Sequence, residues 1–241
     1  MKTAFNNNTT DNVAGFWSSV LLAIMTVITL AIAICTPPLS GPFCAGDCFT
    51  YPYSDIAQRF PRDYYWMYAA MAMLLVYVMV MIAIHRVAGE SRKVFTLAGL
   101  AFALMSALIL IVDYYIQLFV IQASLLEGET EGIALLTQFN PHGIFIALEE
   151  AGFILMSLSF LALVPVFRQY GKTGKPVMIT FSLIFILTLA SVIIMSMIYG
   201  IRREYRLEVI IISINWLGLI ASSVLLAVFF RKHRRIEQPA E

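Results

Sequence analysis

Charge is scarce in this chain. Only 13% of its 241 residues are Asp, Glu, Lys or Arg, whereas 60% are hydrophobic. A water-soluble domain needs a polar surface that so few charges do not supply, and it has too little interior for that much apolar side chain. The charges nearly cancel, to a formal +1. With no long basic run, the balance argues against a nucleic-acid partner. Of the three histidines, His85 and His233 stand beside arginines at the inner boundary, which leaves His142 alone with carboxylates, short of a zinc ligand cluster, so no metal is expected. GxSxG, HExxH and phosphate-loop patterns are missing as well. No cofactor is therefore expected, an enzyme is the least favoured class, and an ATP-driven activity needs another subunit.

What fills the sequence is apolar runs of the length that crosses a hydrocarbon core about 30 Å thick as a helix. Six are read, at 16–36, 64–85, 94–126, 141–167, 177–199 and 207–230. The predicted fold is an all-α membrane protein, a bundle of six transmembrane helices over 15–231. A polar tail (1–14) precedes it and a basic, polar tail (232–241) follows it. The first run is longer than a signal-peptide core and no small-x-small cleavage site follows, so it reads as a retained helix. Pro37 and Pro38 end it. Asn140 and Pro141 are expected to cap and open the fourth helix, and Gly171, Gly174 and Pro176 to break the chain before the fifth. The third run is longer than the bilayer requires and must tilt or protrude.

Eleven of the 16 basic residues fall on the side of the amino terminus when the segments alternate, which predicts that both termini are cytoplasmic. Arg202, Arg203 and Arg206, in the last outer turn, run against this bias. They are candidate counter-charges for Asp113, Glu149 or the loop acids Glu127, Glu129 and Glu131, because arginine forks match carboxylates. The long outer loop carries Cys44 and Cys48, and an oxidising compartment would pair them as a disulfide.

The polar residues inside apolar runs concentrate between positions 113 and 150. Ionisable groups in membrane segments are rare and mark functional sites by default. Asp113, Tyr114 and Gln117 lie on the third segment, His142 and Glu149 on the fourth, and Asn215 at a similar depth on the sixth. Together they form the predicted ligand- or proton-binding site, opening outward between those three segments. Asp113 shares a helix face with Gln117, and His142 with Glu149. Glu150 is turned about 100° from Glu149, so only one of the two glutamates points at a given partner. Carboxyl groups held close together away from water cannot all stay ionised, and one is expected to hold a proton. The same residues would also serve as polar glue between helices.

The Asn140-Pro141-His142-Gly143 and Ala147-Leu148-Glu149-Glu150 segments resemble those of small prokaryotic membrane proteins, which implies a prokaryotic cytoplasmic membrane and carries no residue role. The expected partners are therefore the lipid bilayer, a small-molecule or ion ligand, and a protein partner or a second copy of the chain. The leading expectation is binding or passage of a small ligand, proton or cation. An accessory subunit of a membrane complex is the alternative, and a membrane-embedded enzyme stands third.

Overall fold

Proline, glycine and charge divide the chain into helices, and the computed structural model describes residues 9–235 of it. Lys2 and the outer parts of both predicted tails lie outside the described residues. Eight α-helices are present: α1 (Thr9–Ile34), α2 (Tyr65–Val87), α3 (Lys93–Tyr115), α4 (Gln122–Leu126), α5 (Ile133–Leu136), α6 (Ile144–Phe167), α7 (Gly171–Tyr199) and α8 (Tyr205–Arg235). No strand occurs among the described residues. Short 3₁₀ turns fill the loop from Gly41 to Tyr64, and a π-helical stretch, Ile116–Ile121, joins α3 to α4.

Among the described residues, five helical stretches are long and apolar enough to cross a membrane: Thr10–Ile34, Arg62–Val87, Glu90–Leu126, Ile144–Arg202 and Tyr205–His233. The chain is a multi-pass membrane protein. The count differs from the six runs read from the sequence because α6 and α7 follow one another without a loop. Their joint stretch is 59 residues long, which as a straight helix would extend about 90 Å. It does not run straight. A 3₁₀ turn, Arg168–Tyr170, leads into Gly171 at φ 53°, a left-handed conformation that glycine adopts without a Cβ clash. The chain then reverses, and the Phe181 ring of α7 lies 4.8 Å from Phe160 and 5.6 Å from Phe167 of α6.

Helix ends also depart from the sequence reading. The first helix begins at Thr9, where Asp11 in its first turn meets Arg86 at the end of α2, 3.3 Å away. The fifth begins at Gly171 and keeps Pro176 inside it, because Gly171 already makes the reversal. The fourth begins at Ile144, not at Pro141. Asn140 is not its cap. The Asn140 side chain donates to Ala134 O (2.6 Å) and accepts from His142 N–H (2.9 Å), bracing the turn before the helix.

The long helices close into a ring. α1 packs on α2 and α8, α2 on α3, α3 on α6, α6 on α7, α7 on α8, and α6 also meets α8 across the interior. Inside lie Tyr77, Tyr114, Phe153, Phe160, Phe181 and Trp216, all buried. Tyr77 and Ser159 hydrogen-bond between α2 and α6. Outside, α3 and α7 present Leu108 (65% exposed) and Met197 (81% exposed). Side chains this apolar on an outer face fit contact with lipid.

Candidate functional site

The acids collect at the end of the bundle that bears the Cys44–Cys48 loop, where three helices each bring a buried carboxyl. Asp113 and Tyr114 close the regular part of α3, Glu149 and Glu150 lie in the second turn of α6, and Glu208 sits in the first turn of α8. Ser106 Oγ donates to Gly152 O at 2.7 Å, fastening α3 to α6 one turn below Glu149. Gly152 permits this approach, because a Cβ there would stand 2.5 Å from Leu110 Cγ. With the backbones this close, Tyr114 Oη reaches Glu149 Oε1 and donates to it at 2.6 Å.

Glu149 is 0% exposed and Asp113 is 1% exposed. The carboxyl groups of Glu149 and Glu208 are in hydrogen-bonding contact, and Asp113 lies within electrostatic range of both. Carboxyl groups this close and this buried repel one another when both are ionised. Glu149 Oε2 and Asp113 Oδ2 otherwise have no partner, although both are buried. The acids form a chain leading inward from Glu208. Among the described residues, no three His, Cys, Asp or Glu side chains converge closely enough to hold a metal ion.

The adjacent glutamate faces a different partner. Glu150 takes Arg203 as a fork, with Nη2 to Oε2 at 2.6 Å and Nε to both oxygens at 3.2 Å. The Glu150 hydrogen bonds raise the Arg203 proton affinity above its ordinary value. Arg206 pairs with Glu204 at 3.1 Å and lies 4.8 Å over the Tyr199 ring. Arg202 is exposed. Arg203 and Arg206 therefore serve Glu150 and Glu204, not Asp113 or Glu149, while Glu127, Glu129 and Glu131 stand exposed in their loop.

A cavity of about 240 Å³ opens beside the acid chain. It is walled by the end of α1 and the following loop, the start of α2, and α8, and reaches Phe145 of α6. It therefore does not lie between the third, fourth and sixth segments as the sequence reading has it. It touches the acids at one residue, Glu208. Trp66 and Trp216 line it with ring centroids 6.2 Å apart, and Trp66 lies 5.1 Å from the Tyr114 ring. Asp63 also lines it but is bound by Arg62 at 2.7 Å, with Arg59 at 4.0 Å. Tyr205 Oη donates to Gln138 O (2.8 Å), so at its 2.7 Å contact with Ser40 the serine is the donor. A buried donor on the lining, Trp216 Nε1, has no partner, while the Gln138 side chain faces the Tyr64 hydroxyl.

The remaining sequence-predicted residues lie apart from the acids. Gln117, on the π-helical stretch, donates to Leu136 O (2.7 Å) and accepts from Gln138 N–H (2.8 Å), tying the segment after α5 to that stretch. Gln122 Nε2 donates to Gln117 O at 3.1 Å. His142 is exposed, in a groove shared with Glu150, Arg203 and Glu204. Asn215 is buried, donating to Ile211 O (2.8 Å) and lying 3.4 Å from Thr188. Cys44 and Cys48 are joined by a disulfide.

Glu208 is the residue the sequence reading passed over. It stands two positions after Arg206 in a stretch that reads as a charged interfacial turn. Its signal was its spacing: seven residues before Asn215, it occupies the same face of α8. Compared with protein-family models, curated proteins and solved structures, the chain matches none.

Proposed function

We propose that the protein binds a small ligand in the cavity beside Glu208, entering from the side of the Cys44–Cys48 loop, and that occupancy is coupled to the proton shared by Glu208 and Glu149. The supporting observation is the double position of Glu208, which is both a wall of the cavity and a contact of the fully buried Glu149. A ligand that changes the electrostatics at Glu208 is felt directly at Glu149. Polar groups that serve only as helix glue satisfy one another. Here Trp216 Nε1 and Asp113 Oδ2 are buried without partners, which favours a binding site over an accessory subunit.

The topology that goes with this reading has six crossings, with both termini cytoplasmic. The α6–α7 reversal supports the count, and the excess of basic residues away from the disulfide loop supports the orientation. Single cysteines at Lys172 and Thr130, in a Cys35→Ser background, are then labelled from opposite sides of the membrane. Labelling of both from one side would overturn it.

The function is tested by thermal stability of the purified protein against a panel of small organic molecules at pH 5 and pH 8. A ligand at 100 times its Kd adds about 2.7 kcal/mol to folded-state stability. The expected hit stabilises the wild type differently at the two pH values and loses that difference in Glu208→Gln. A panel without hits, with a stable partner co-purifying, returns the protein to the accessory-subunit class.

A further inference from the structure

We infer that the ligand is a small organic amine, held as its ammonium ion at Glu208 against the Trp66 and Trp216 rings, and that it exchanges for the proton between Glu208 and Glu149. This rests on the ligand-and-proton reading above and names its substrate class.

The charge balance of the site leads there. The groups facing Glu208 and Glu149 are Asp113 and Tyr114 from α3, Glu150 from α6, Tyr205 from α8, and Asp63 at the head of α2. The nearby cations already have partners: Arg203 binds Glu150, Arg62 and Arg59 flank Asp63, and Arg206 binds Glu204. Among the described residues, no Lys or Arg makes an ion pair with Asp113, Glu149 or Glu208. A proton is the counter-charge the acid chain can take from its own chemistry. A cation arriving from the cavity is the one it can take from a ligand.

The walls define the cation. They are aromatic at Phe43, Trp66, Phe139, Phe145 and Trp216, and aromatic faces attract organic ammonium groups. Bare metal ions favour several converging carboxylates, and among the described residues no three His, Cys, Asp or Glu converge to hold one. The volume, about 240 Å³, suits a molecule smaller than a drug-sized ligand, such as one small ring with a short amine arm. The unpartnered Trp216 N–H calls for an acceptor on the same molecule, such as a hydroxyl or carbonyl. The exchange balances: an ammonium ion enters, one proton leaves the carboxyl pair for water, and the net charge of the site is unchanged.

The test uses full-length protein in lipid nanodiscs with Trp17→Phe, so that fluorescence reports Trp66 and Trp216. The probes are 2-phenylethylamine, 2-amino-1-phenylethanol and the neutral isostere 2-phenylethanol. A pH-indicator dye in weakly buffered medium counts released protons. The expected result is binding of both amines with about one proton released per amine. The alcohol should bind at least about tenfold more weakly and release none. 2-Amino-1-phenylethanol should bind more tightly than 2-phenylethylamine, and Glu208→Gln should abolish proton release. Equal binding of amine and alcohol, or amine binding without proton release, overturns the amine exchange and leaves the cavity reading standing. A response to none of the three probes overturns both. The wild-type comparison of amine with alcohol decides the matter even where Glu208→Gln fails to fold.

Discussion

Glu149 and Glu150 are consecutive in α6 yet belong to different electrostatic environments. Glu149 accepts from Tyr114 Oη at 2.6 Å inside the ring of helices, and Glu150 is forked by Arg203 at 2.6 Å on its rim. One helical residue step of about 100° makes the division. Among the described residues, Arg203 pairs with the outer of these two glutamates and no cation pairs with the inner one, so a shared proton is the counter-charge the proposal gives the inner acids.

The Glu150–Arg203 pair should behave as a structural clamp between α6 and the α7–α8 turn. Arg203→Ala leaves a carboxylate whose side chain is only 8% exposed without its cation. Because the arginine is 35% exposed and partly screened, the loss should be about 1–2 kcal/mol, below that of a fully buried pair. Adding Glu150→Gln should recover most of it. Thermal unfolding of the two single variants and the double variant measures the coupling, and additive losses would show that the pair contributes nothing as a pair.

Gly152→Ala should disturb the site from below. The new Cβ would meet Leu110 Cγ at 2.5 Å, and Leu110 is 0% exposed with no open side to move toward. Overpacking of this kind costs about 1–3 kcal/mol. Moving α3 from α6 would also lengthen the Ser106–Gly152 and Tyr114–Glu149 bonds. The check is a lowered melting temperature together with a changed Tyr114 hydroxyl signal in infrared spectra. A variant as stable as the wild type would mean that the two helices are not in tight contact here.

Much of the helical frame was legible because bilayer length and apolar composition are strong signals. The acids Asp113 and Glu149 were conspicuous for the same reason, since an ionisable group stands out in an apolar run. Glu208 was not, because charge at the edge of a segment is ordinary, and only contact with Glu149 gives it significance. His142 misled the reading for a local reason. With α6 beginning at Ile144, the histidine sits outside the helix, and its i+7 relation to Glu149 places nothing on a shared face. The cavity was illegible altogether. It is made by the Pro37–Phe43 loop folding over α2 and α8, a tertiary contact with no periodicity to announce it.

The cysteines should separate cleanly by chemistry. With Cys44 and Cys48 joined and Cys35 exposed, alkylation of the unreduced, denatured protein should add one label, and three after reduction. Replacing both Cys44 and Cys48 by serine should cost about 2 kcal/mol by the chain-entropy relation for so short a loop. It should also loosen the cavity wall at Phe43. Three labels without reduction, in protein isolated under oxidising conditions, would reject the pairing and remove the chemical reason for placing this loop outside.

Glu149→Gln is the sharpest test of the shared proton. Glutamine keeps the shape: its carbonyl can accept from Tyr114 and its amide can donate to Glu208, so folding should change by no more than about 1 kcal/mol. What it cannot do is share a titratable proton. Infrared difference spectra of the wild type between pH 4 and pH 9 should therefore contain a protonated-carboxyl stretch from a water-excluded site. That band should vanish in Glu149→Gln and shift in Glu208→Gln. It should persist in Glu127→Gln, which alters an exposed loop acid. Loss of the pH-dependent ligand response should accompany loss of the band, because both depend on one proton. Absence of the band from the wild type, with Glu149→Gln responding to ligand as the wild type does, would leave Tyr114, Glu149 and Glu208 as a hydrogen-bonded seam between α3, α6 and α8.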